Sequence, residues 1–289
     1  MANRAKAMAR GAVFAASLGC ALFAGLFPAW AGERPARVVS MNLCTDQLAM
    51  LIAAPGQLVS ISAIARQPQS SAMVDEAMHF PINQGQAEEI FLLKPDLVLA
   101  GTYTTRATVG LLKELGIPVA QFAPETSFDG VRESMRRMGE LLGREERAAE
   151  LIGEFDAGLK RLQNLPKSGK VAALYYANSY TSGSGTLAHA AIDAAGLENL
   201  AARLGIQGTA TIPLETLVLA MPDVVVAGDR DYTAPALAQQ NFSHPAFQAL
   251  IQKSGEASMP VRNTVCGGPF TLAAVTMLRA AAGQDIARR

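Results

Sequence analysis

The sequence is poor in charge, cysteine and tryptophan, and each shortage removes a class of protein. Charged residues make up 17% of the 289, with 25 basic against 25 acidic side chains, which excludes a disordered chain and a bulk nucleic-acid binder. Three cysteines are too few for a disulfide scaffold. Half of the residues are hydrophobic, so the composition indicates a globular protein with room for a large core or two lobes.

The first 31 residues have the pattern of an export signal. Three basic residues precede an apolar run at 11–27, and Ala29-Trp30-Ala31 supplies a small-x-small cleavage pattern. The run is shorter than the roughly 20 residues that span a bilayer, which favours a secretory signal peptide over a membrane anchor. We expect cleavage after Ala31; lipid modification of Cys20 is the alternative.

Removal of this segment changes the composition of the chain. It takes away three basic residues and no acidic one, which leaves 22 basic against 25 acidic side chains. Trp30, the only tryptophan, is lost, whereas Cys44 and Cys266 remain in a compartment where disulfides form. No later segment has eighteen consecutive apolar residues, so we expect a soluble exported protein.

Short apolar runs alternate with helical patterns on either side of a long helical stretch. Strand-length runs and helices alternate up to Phe122, and again from Val171 to a last strand predicted at 261–266. Between them, 127–165 has apolar residues at helical spacing, interrupted by Gly143. The pattern predicts an α/β fold. We expect two Rossmann-like lobes joined by one long interlobe helix, with a kink or two abutting helices at the glycine as the alternative. The predicted boundaries are 1–31 for the signal peptide, 32–126 for the N-terminal lobe, 127–166 for the helix and 167–289 for the C-terminal lobe.

One segment of the chain occurs twice. Residues 88–101 align without a gap onto 215–228, at an offset of 127 and with seven identities in fourteen positions. Each copy reads as a short helix that starts with a glutamate, a Pro-Asp turn and a buried strand that ends at glycine. The glutamates complement the helix dipole, and they also place one carboxylate at an equivalent outer position of each lobe.

The chain resembles the substrate-binding proteins of ABC importers that have a rigid interlobe helix, the class that takes up vitamin B12, ferric siderophores and haem. The resemblance covers essentially all of the chain after the signal, and no single motif carries it. It lies in the order and spacing of segments 37–46, 88–101, the helical stretch from Ser127, 194–199 and 215–228.

The resemblance implies a role for the repeated glutamates and a place for the protein in the cell. In that family, one exposed glutamate per lobe docks into arginine pockets of the two permease subunits; the matching positions here are Glu88 and Glu215. Two carboxylates a lobe apart suit a symmetric partner. We therefore expect a periplasmic monomer that delivers its ligand to an ABC permease dimer in the inner membrane.

The ligand is expected in a cleft between the lobes, because open α/β sheets bind ligands beyond the carboxyl ends of their strands. Tyrosine and arginine there would suit a flat, partly anionic metal chelate. A wider set of polar strand-end residues includes Asn42, Glu125 and Gly267. The candidates chosen from it are Cys44, Arg66, Thr102 and Tyr103 in the first lobe, and Tyr180, Arg230, Tyr232 and Cys266 in the second.

The two cysteines allow three interpretations. Cys44 follows the first predicted strand and Cys266 ends the last one, so each is expected on the cleft side of a different lobe. The first is a disulfide between the lobes, the second is a pair of free thiols that ligate a metal, and the third is a pair of small buried residues. Apart from these thiols, we predict no metal site built from protein ligands, and we predict no cofactor.

No catalytic constellation stands out in the sequence. Residues 181–186, Thr-Ser-Gly-Ser-Gly-Thr, lack the lysine of a P-loop and the flanking pattern of a nucleophile elbow. A binding protein rather than an enzyme is therefore predicted, with an exported α/β enzyme acting on a small metal chelate as the alternative. The lack of tryptophan after residue 31 favours haem or a ferric siderophore over cobalamin as the ligand. The sequence does not identify which of these chelates is bound.

Overall fold

The computed structural model describes residues 34–228 and 237–284. The predicted export signal at 1–31 lies outside the described residues, as do Arg230 and Tyr232. In the described ranges, no helix is both long and apolar enough to cross a lipid bilayer.

The N-terminal lobe is built on a five-stranded parallel sheet with helices between its strands. The strand order is β3-β2-β1-β4-β5. Val38, Val39, Val98 and Leu99 are fully buried, as expected for central strands covered on both faces. The elements are β1 (Val38–Ser40), α1 (Leu43–Ile52), β2 (Leu58–Ser62), α2 (Val74–Ala77), β3 (Ile82–Asn83), α3 (Ala87–Leu92), β4 (Leu97–Gly101), α4 (Arg106–Glu114) and β5 (Val119–Phe122).

Two helices follow, α5 (Phe128–Leu142) and α6 (Glu145–Gln163). They pack against each other: the Phe128 and Phe155 rings lie 5.8 Å apart, and Arg132 Nε contacts Asp156 Oδ1 at 2.7 Å. Gly143 ends α5 in the left-handed region, with φ of 62°, a conformation that favours glycine. The segment predicted as one long helix is therefore a pair of abutting helices.

The C-terminal lobe has a four-stranded parallel sheet and a two-stranded antiparallel one. The strand orders are β11-β10-β6-β8 and β7-β9. The elements are β6 (Val171–Tyr175), β7 (Tyr180–Ser182), α7 (Leu187–Ala194), β8 (Glu198–Asn199), α8 (Leu200–Arg203), β9 (Thr209–Thr211), α9 (Leu214–Ala220), β10 (Val224–Ala227), α10 (Gln240–Ser243), α11 (Pro245–Lys253), β11 (Gly255–Ser258) and α12 (Thr271–Gln284).

The predicted α/β class with parallel sheets and two lobes is confirmed, but the last strand was misplaced. The segment predicted as a strand at 261–266 contains a 3₁₀ turn over Val261–Asn263, and the strand is β11, which lies before it. Cys266 therefore belongs to the loop before α12 rather than to a strand.

The paired helices join the cores of the two lobes. Met135 and Met138 of α5 and Phe155 of α6 belong to one buried cluster that also contains Val38 of the first sheet and Leu174 of the second. Because this packing is continuous, hinging of one lobe against the other would have to open buried apolar surface.

Candidate functional site

Each parallel sheet has a point where its strand order reverses, and the two points define the candidate site. In the N-terminal lobe, successive strands are added on one side of β1, as β2 and β3, and then on its other side, as β4 and β5, so the order reverses between β1 and β4. In the C-terminal lobe, the order reverses between β6 and β10. Loops on either side of such a point separate and leave a crevice beyond the carboxyl ends of the strands. The carboxyl ends of these four strands are therefore the expected place of a ligand.

In the N-terminal lobe, Asn42 occupies the reversal point. Its Oδ1 caps α1 by accepting hydrogen bonds from the backbone N–H of Cys44 (3.0 Å) and Thr45 (3.4 Å). A Cβ at position 101, where β4 ends, would lie 2.8 Å from Asn42 Nδ2, so the side chain needs a glycine there. The cavity at this point has a volume of about 40 Å³ and is lined by Asn42, Cys44, Gly101, Thr102, Tyr103, Phe122, Ala123 and Pro124.

Tyr176 has the corresponding position in the C-terminal lobe. It follows β6, and its ring passes Gly228, the residue after β10, where a Cβ would lie 3.1 Å from Tyr176 Cδ1. Asn241 Nδ2 donates a hydrogen bond to the Tyr176 carbonyl oxygen at 2.8 Å. The cavity here measures about 220 Å³ and is lined by Gln69, Ser70, Tyr176, Ala177, Gly228, Phe242 and Val261.

The second cavity has walls from both lobes, because Gln69 and Ser70 belong to the N-terminal lobe. Beside it, Arg262 Nη1 donates to the carbonyl oxygen of Pro68 at 3.3 Å, a further contact between the lobes. The reversal point of the second sheet therefore opens onto the space between the two lobes.

The sequence repeat explains why the two lobes end their strands alike. Asp96 Oδ2 accepts hydrogen bonds from the backbone N–H of Ala36 and Arg37, just before β1, at 2.9 and 2.8 Å. Asp223 Oδ2 accepts one from Val171 N at the start of β6, at 2.8 Å. In both lobes, the aspartate of the Pro-Asp turn thus anchors the start of the neighbouring strand. The glycine that ends the repeat leaves room for the side chain that follows this neighbouring strand, which is Asn42 in the first lobe and Tyr176 in the second.

Two ionisable groups near the cleft have raised pKa values. Burial raises the pKa of the Tyr176 phenol above its ordinary value, so this hydroxyl stays protonated and able to donate a hydrogen bond. Burial also raises the pKa of Asp46, in the first turn of α1, to about 7, although hydrogen bonds from Ser40 and Ser62 act in the opposite direction.

Cys44 and Cys266 form a disulfide between the lobes. Their Cα atoms are 5.1 Å apart across a sequence separation of 222 residues. The interpretations as metal-ligating thiols and as unbonded buried residues are therefore wrong, because each sulfur is bonded to the other. Next to the bond, Gly267 N donates to Glu125 Oε2 at 3.0 Å. In the part of the chain that the structure describes, no group of three or more His, Cys, Asp or Glu is arranged to hold a metal ion.

The other predicted ligand residues differ in their position. Thr102 and Tyr103 line the N-terminal cavity, and Tyr103 is 87% exposed at its opening. Tyr180 lies in β7, paired with Thr211 of β9, and is partly exposed. The Arg66 guanidinium is directed to backbone, with Nε donating to Ala77 O at 3.2 Å and Nη2 to Phe80 O at 2.6 Å. Arg66 therefore holds its own loop.

The two predicted docking glutamates have matching surroundings. Glu88 and Glu215 are both exposed, and each lies in the first turn of a short helix, α3 and α9 respectively. The following turns end alike, with Lys94 and Met221 at φ of 47° and 43°.

A cavity of about 240 Å³ lies away from all strand ends, at the turn between α5 and α6. Charged side chains line it, including Arg34, Arg147 and Glu150, and the last two form an exposed ion pair at 3.2 Å. It is larger than either strand-end cavity, but its walls lack the apolar and aromatic surface that small-molecule sites present. The strand-end cavities therefore remain the candidate site.

Comparison with known proteins gives matches along most of the chain. The model of the periplasmic binding protein family matches residues 38–251. A cobalamin-binding protein of Halobacterium salinarum is 33% identical over 216 residues, which are 71% of this chain and 58% of that protein. The chain thus spans less than two thirds of the length of this relative.

Solved structures share the fold at lower identity. The periplasmic vitamin B12-binding protein of Vibrio cholerae superposes with a TM-score of 0.67 at 18% identity, over 89% of this chain and 99% of that one. A periplasmic haem-binding protein from Roseiflexus sp. RS-1 gives 0.67 at 20% identity, over 85% and 98%. Each superposition includes almost the full length of the solved structure, so the two-lobed architecture is shared as a whole.

Proposed function

Because the chain belongs to the periplasmic binding protein family, we propose that it is the substrate-binding component of an ABC importer and captures a metal chelate between its lobes. The observation that carries this proposal is the pair of strand-order reversals, with a cavity at each and walls from both lobes around the second. The export signal at 1–31, cleavage after Ala31, a periplasmic location and a monomeric state are parts of the same proposal.

The side chains around the two cavities suit a flat ligand with polar edges. Tyr103 offers an exposed ring on the N-terminal side, and Tyr176 lines the cavity on the C-terminal side. Aromatic faces stack on planar rings, and phenols donate to oxygen acceptors. Thr102 adds a hydroxyl group beside Tyr103.

Among chelates, a corrinoid is the ligand to test first. The Halobacterium relative is named as a cobalamin-binding protein, and this likeness weighs more than the lack of tryptophan after residue 31. Haem and ferric hydroxamates are the competing ligands. The cleft residues Thr102, Tyr103 and Tyr176 are proposed contacts, whereas Arg66 is less suited because its guanidinium binds backbone carbonyls.

Isothermal titration of the processed chain with cyanocobalamin, haemin and a ferric hydroxamate tests the proposal. We expect one of them to bind at one molecule per chain and to be recovered unchanged. Tyr176→Ala should weaken that binding at least tenfold, and Phe91→Ala, which removes an exposed ring of α3 that lines neither cavity, serves as the aromatic control. Chemical conversion of the ligand would favour the alternative of an exported enzyme, and no binding by any of the three would refute the ligand class.

We also propose that Glu88 and Glu215 dock the protein onto the two subunits of the permease. Their exposure and equivalent positions in the repeat support this, since paired carboxylates can orient the protein on a two-fold symmetric membrane partner. Glu88→Ala combined with Glu215→Ala should abolish uptake and leave ligand affinity unchanged. The control pair, Glu114→Ala with Asp193→Ala, removes one exposed carboxylate per lobe elsewhere and should transport normally. Normal uptake by the Glu88/Glu215 variant would contradict the assignment.

A further inference from the structure

Leu92 and Leu219 are the two most exposed leucines among the described residues, at 76% and 83%. A single exposed leucine needs no explanation. These two, however, occupy the same position of the repeat, one in each lobe, and both belong to its seven identities.

Each of these leucines lies four residues after a proposed docking glutamate. Glu88 and Leu92 are four apart in α3, and so are Glu215 and Leu219 at α9, a spacing that puts both side chains on one face of the helix. The core-facing residues of these helices are Ile90 and Leu217, which are fully buried. The leucines therefore lie on the side of each helix that faces away from its lobe.

We propose that Leu92 and Leu219 form, with Glu88 and Glu215, a two-point docking surface whose partner is a two-fold symmetric membrane permease. Each permease subunit would present an apolar depression one helical turn from a cationic side chain. This inference rests on the proposed function. The carboxylates orient the encounter, whereas burial of the leucines holds the complex, because apolar burial is not screened by salt.

The surroundings of the leucines favour this partner over two others. A carboxylate beside each leucine disfavours insertion into an anionic lipid surface. A second copy of the chain would bring equal charges together, glutamate against glutamate, at both points. A basic partner with two equivalent subunits satisfies both the charges and the duplication.

The test is the affinity of ligand-loaded protein for its ABC permease in lipid nanodiscs, measured at low and at physiological salt. Leu92→Ser with Leu219→Ser should weaken binding about 100-fold, or about tenfold for each leucine. The loss should be equal at both salt concentrations and should appear in the dissociation rate. The control pair is Leu115→Ser with Leu204→Ser, two exposed leucines outside the repeat, and it should bind as the wild type does.

The possible outcomes separate this inference from the proposed function. If the leucine variant binds like the wild type while the Glu88/Glu215 variant does not, the inference fails and the docking glutamates stand. If both variants bind normally, the docking proposal fails as well. The inference is also overturned if the wild type self-associates in sedimentation, or binds to protein-free anionic liposomes, and the variant with Leu92→Ser and Leu219→Ser does not.

Discussion

At the scale of single residues, Asp46 joins the local chemistry of α1 to the stability of the whole lobe. Its carboxyl group is buried and accepts hydrogen bonds from the backbone N–H and the hydroxyl of Ser62. Burial penalises the charged form more than these bonds favour it, so the pKa rises to about 7. The folded protein therefore holds a proton here that the unfolded chain, with a carboxyl pKa near 3.9, releases.

This difference gives a pH dependence of folding with a definite sign. Between about pH 4 and pH 7 the folded state binds more protons at Asp46 than the unfolded state does, so stability falls as pH rises through that window, by up to about 4 kcal/mol. Asp46→Asn has nearly the same shape and no charge, and should remove this contribution. The measurement is urea unfolding of both proteins at intervals from pH 4 to 8.

The control for this prediction is Asp75→Asn, which changes an exposed aspartate in the first turn of α2. It should keep the pH profile of the wild type. The interpretation of Asp46 is wrong if the difference in unfolding free energy between wild type and Asp46→Asn stays constant across the window.

At the scale of elements, the repeated helix–turn–strand unit explains the geometry of the cleft. In each lobe its aspartate anchors the neighbouring strand, and its last glycine leaves room for Asn42 or Tyr176. The unit thus fixes which side chain emerges at the reversal of strand order. Because the unit is duplicated, each lobe has a cavity at the corresponding point of its sheet.

Gly101→Ala tests the need for a glycine at the end of β4. The added Cβ would lie 2.8 Å from Asn42 Nδ2, so Asn42 must move and its cap on α1 is disturbed. We expect a loss of about 1–3 kcal/mol of stability together with weaker ligand binding. Gly110→Ala, in α4, meets nothing within 4 Å and should be neutral or slightly stabilising. Equal melting temperatures for wild type and Gly101→Ala would refute the prediction.

The repeat was also the part of the chain that sequence predicted best. Its two copies form α3–β4 and α9–β10, where buried strands leave a continuous apolar run. The last strand was misplaced because β11, Gly-Glu-Ala-Ser, is a partly exposed edge strand with no such run, whereas Val261 to Cys266 contains more β-favouring residues. Tyr176 is hard to recognise from sequence because the apolar run that begins at Val171 continues into it. The signal for it is Gly228, the glycine that ends the second copy of the repeat.

At the scale of the whole molecule, the lobes are joined both by packing and by a covalent bond. The paired helices α5 and α6 share one core with both sheets, and Cys44–Cys266 bonds the lobes beside the N-terminal cavity. No sequence spacing could reveal that pair, because 222 residues separate two cysteines whose approach depends on the complete fold.

Loss of the disulfide should destabilise the protein without unfolding it. A bond that closes so long a loop restricts the unfolded chain, and its removal costs about 2–5 kcal/mol. Urea unfolding of the processed chain with and without reductant measures this loss of stability. The variant with Cys44→Ala and Cys266→Ala should be as stable as the reduced wild type, and its stability should not change when reductant is added. The disulfide is refuted if the denatured, unreduced processed chain contains titratable thiols.

Ligand capture between the lobes is tested most directly by an anomalous difference map of crystals grown with the chelate that binds, recorded at the absorption edge of its cobalt or iron. We expect one metal peak between the lobes, with the ligand contacting Thr102 or Tyr103 on one side and Tyr176 on the other. A peak in the charged cavity between Arg34 and Glu150, or on the outer face of either lobe, would contradict it.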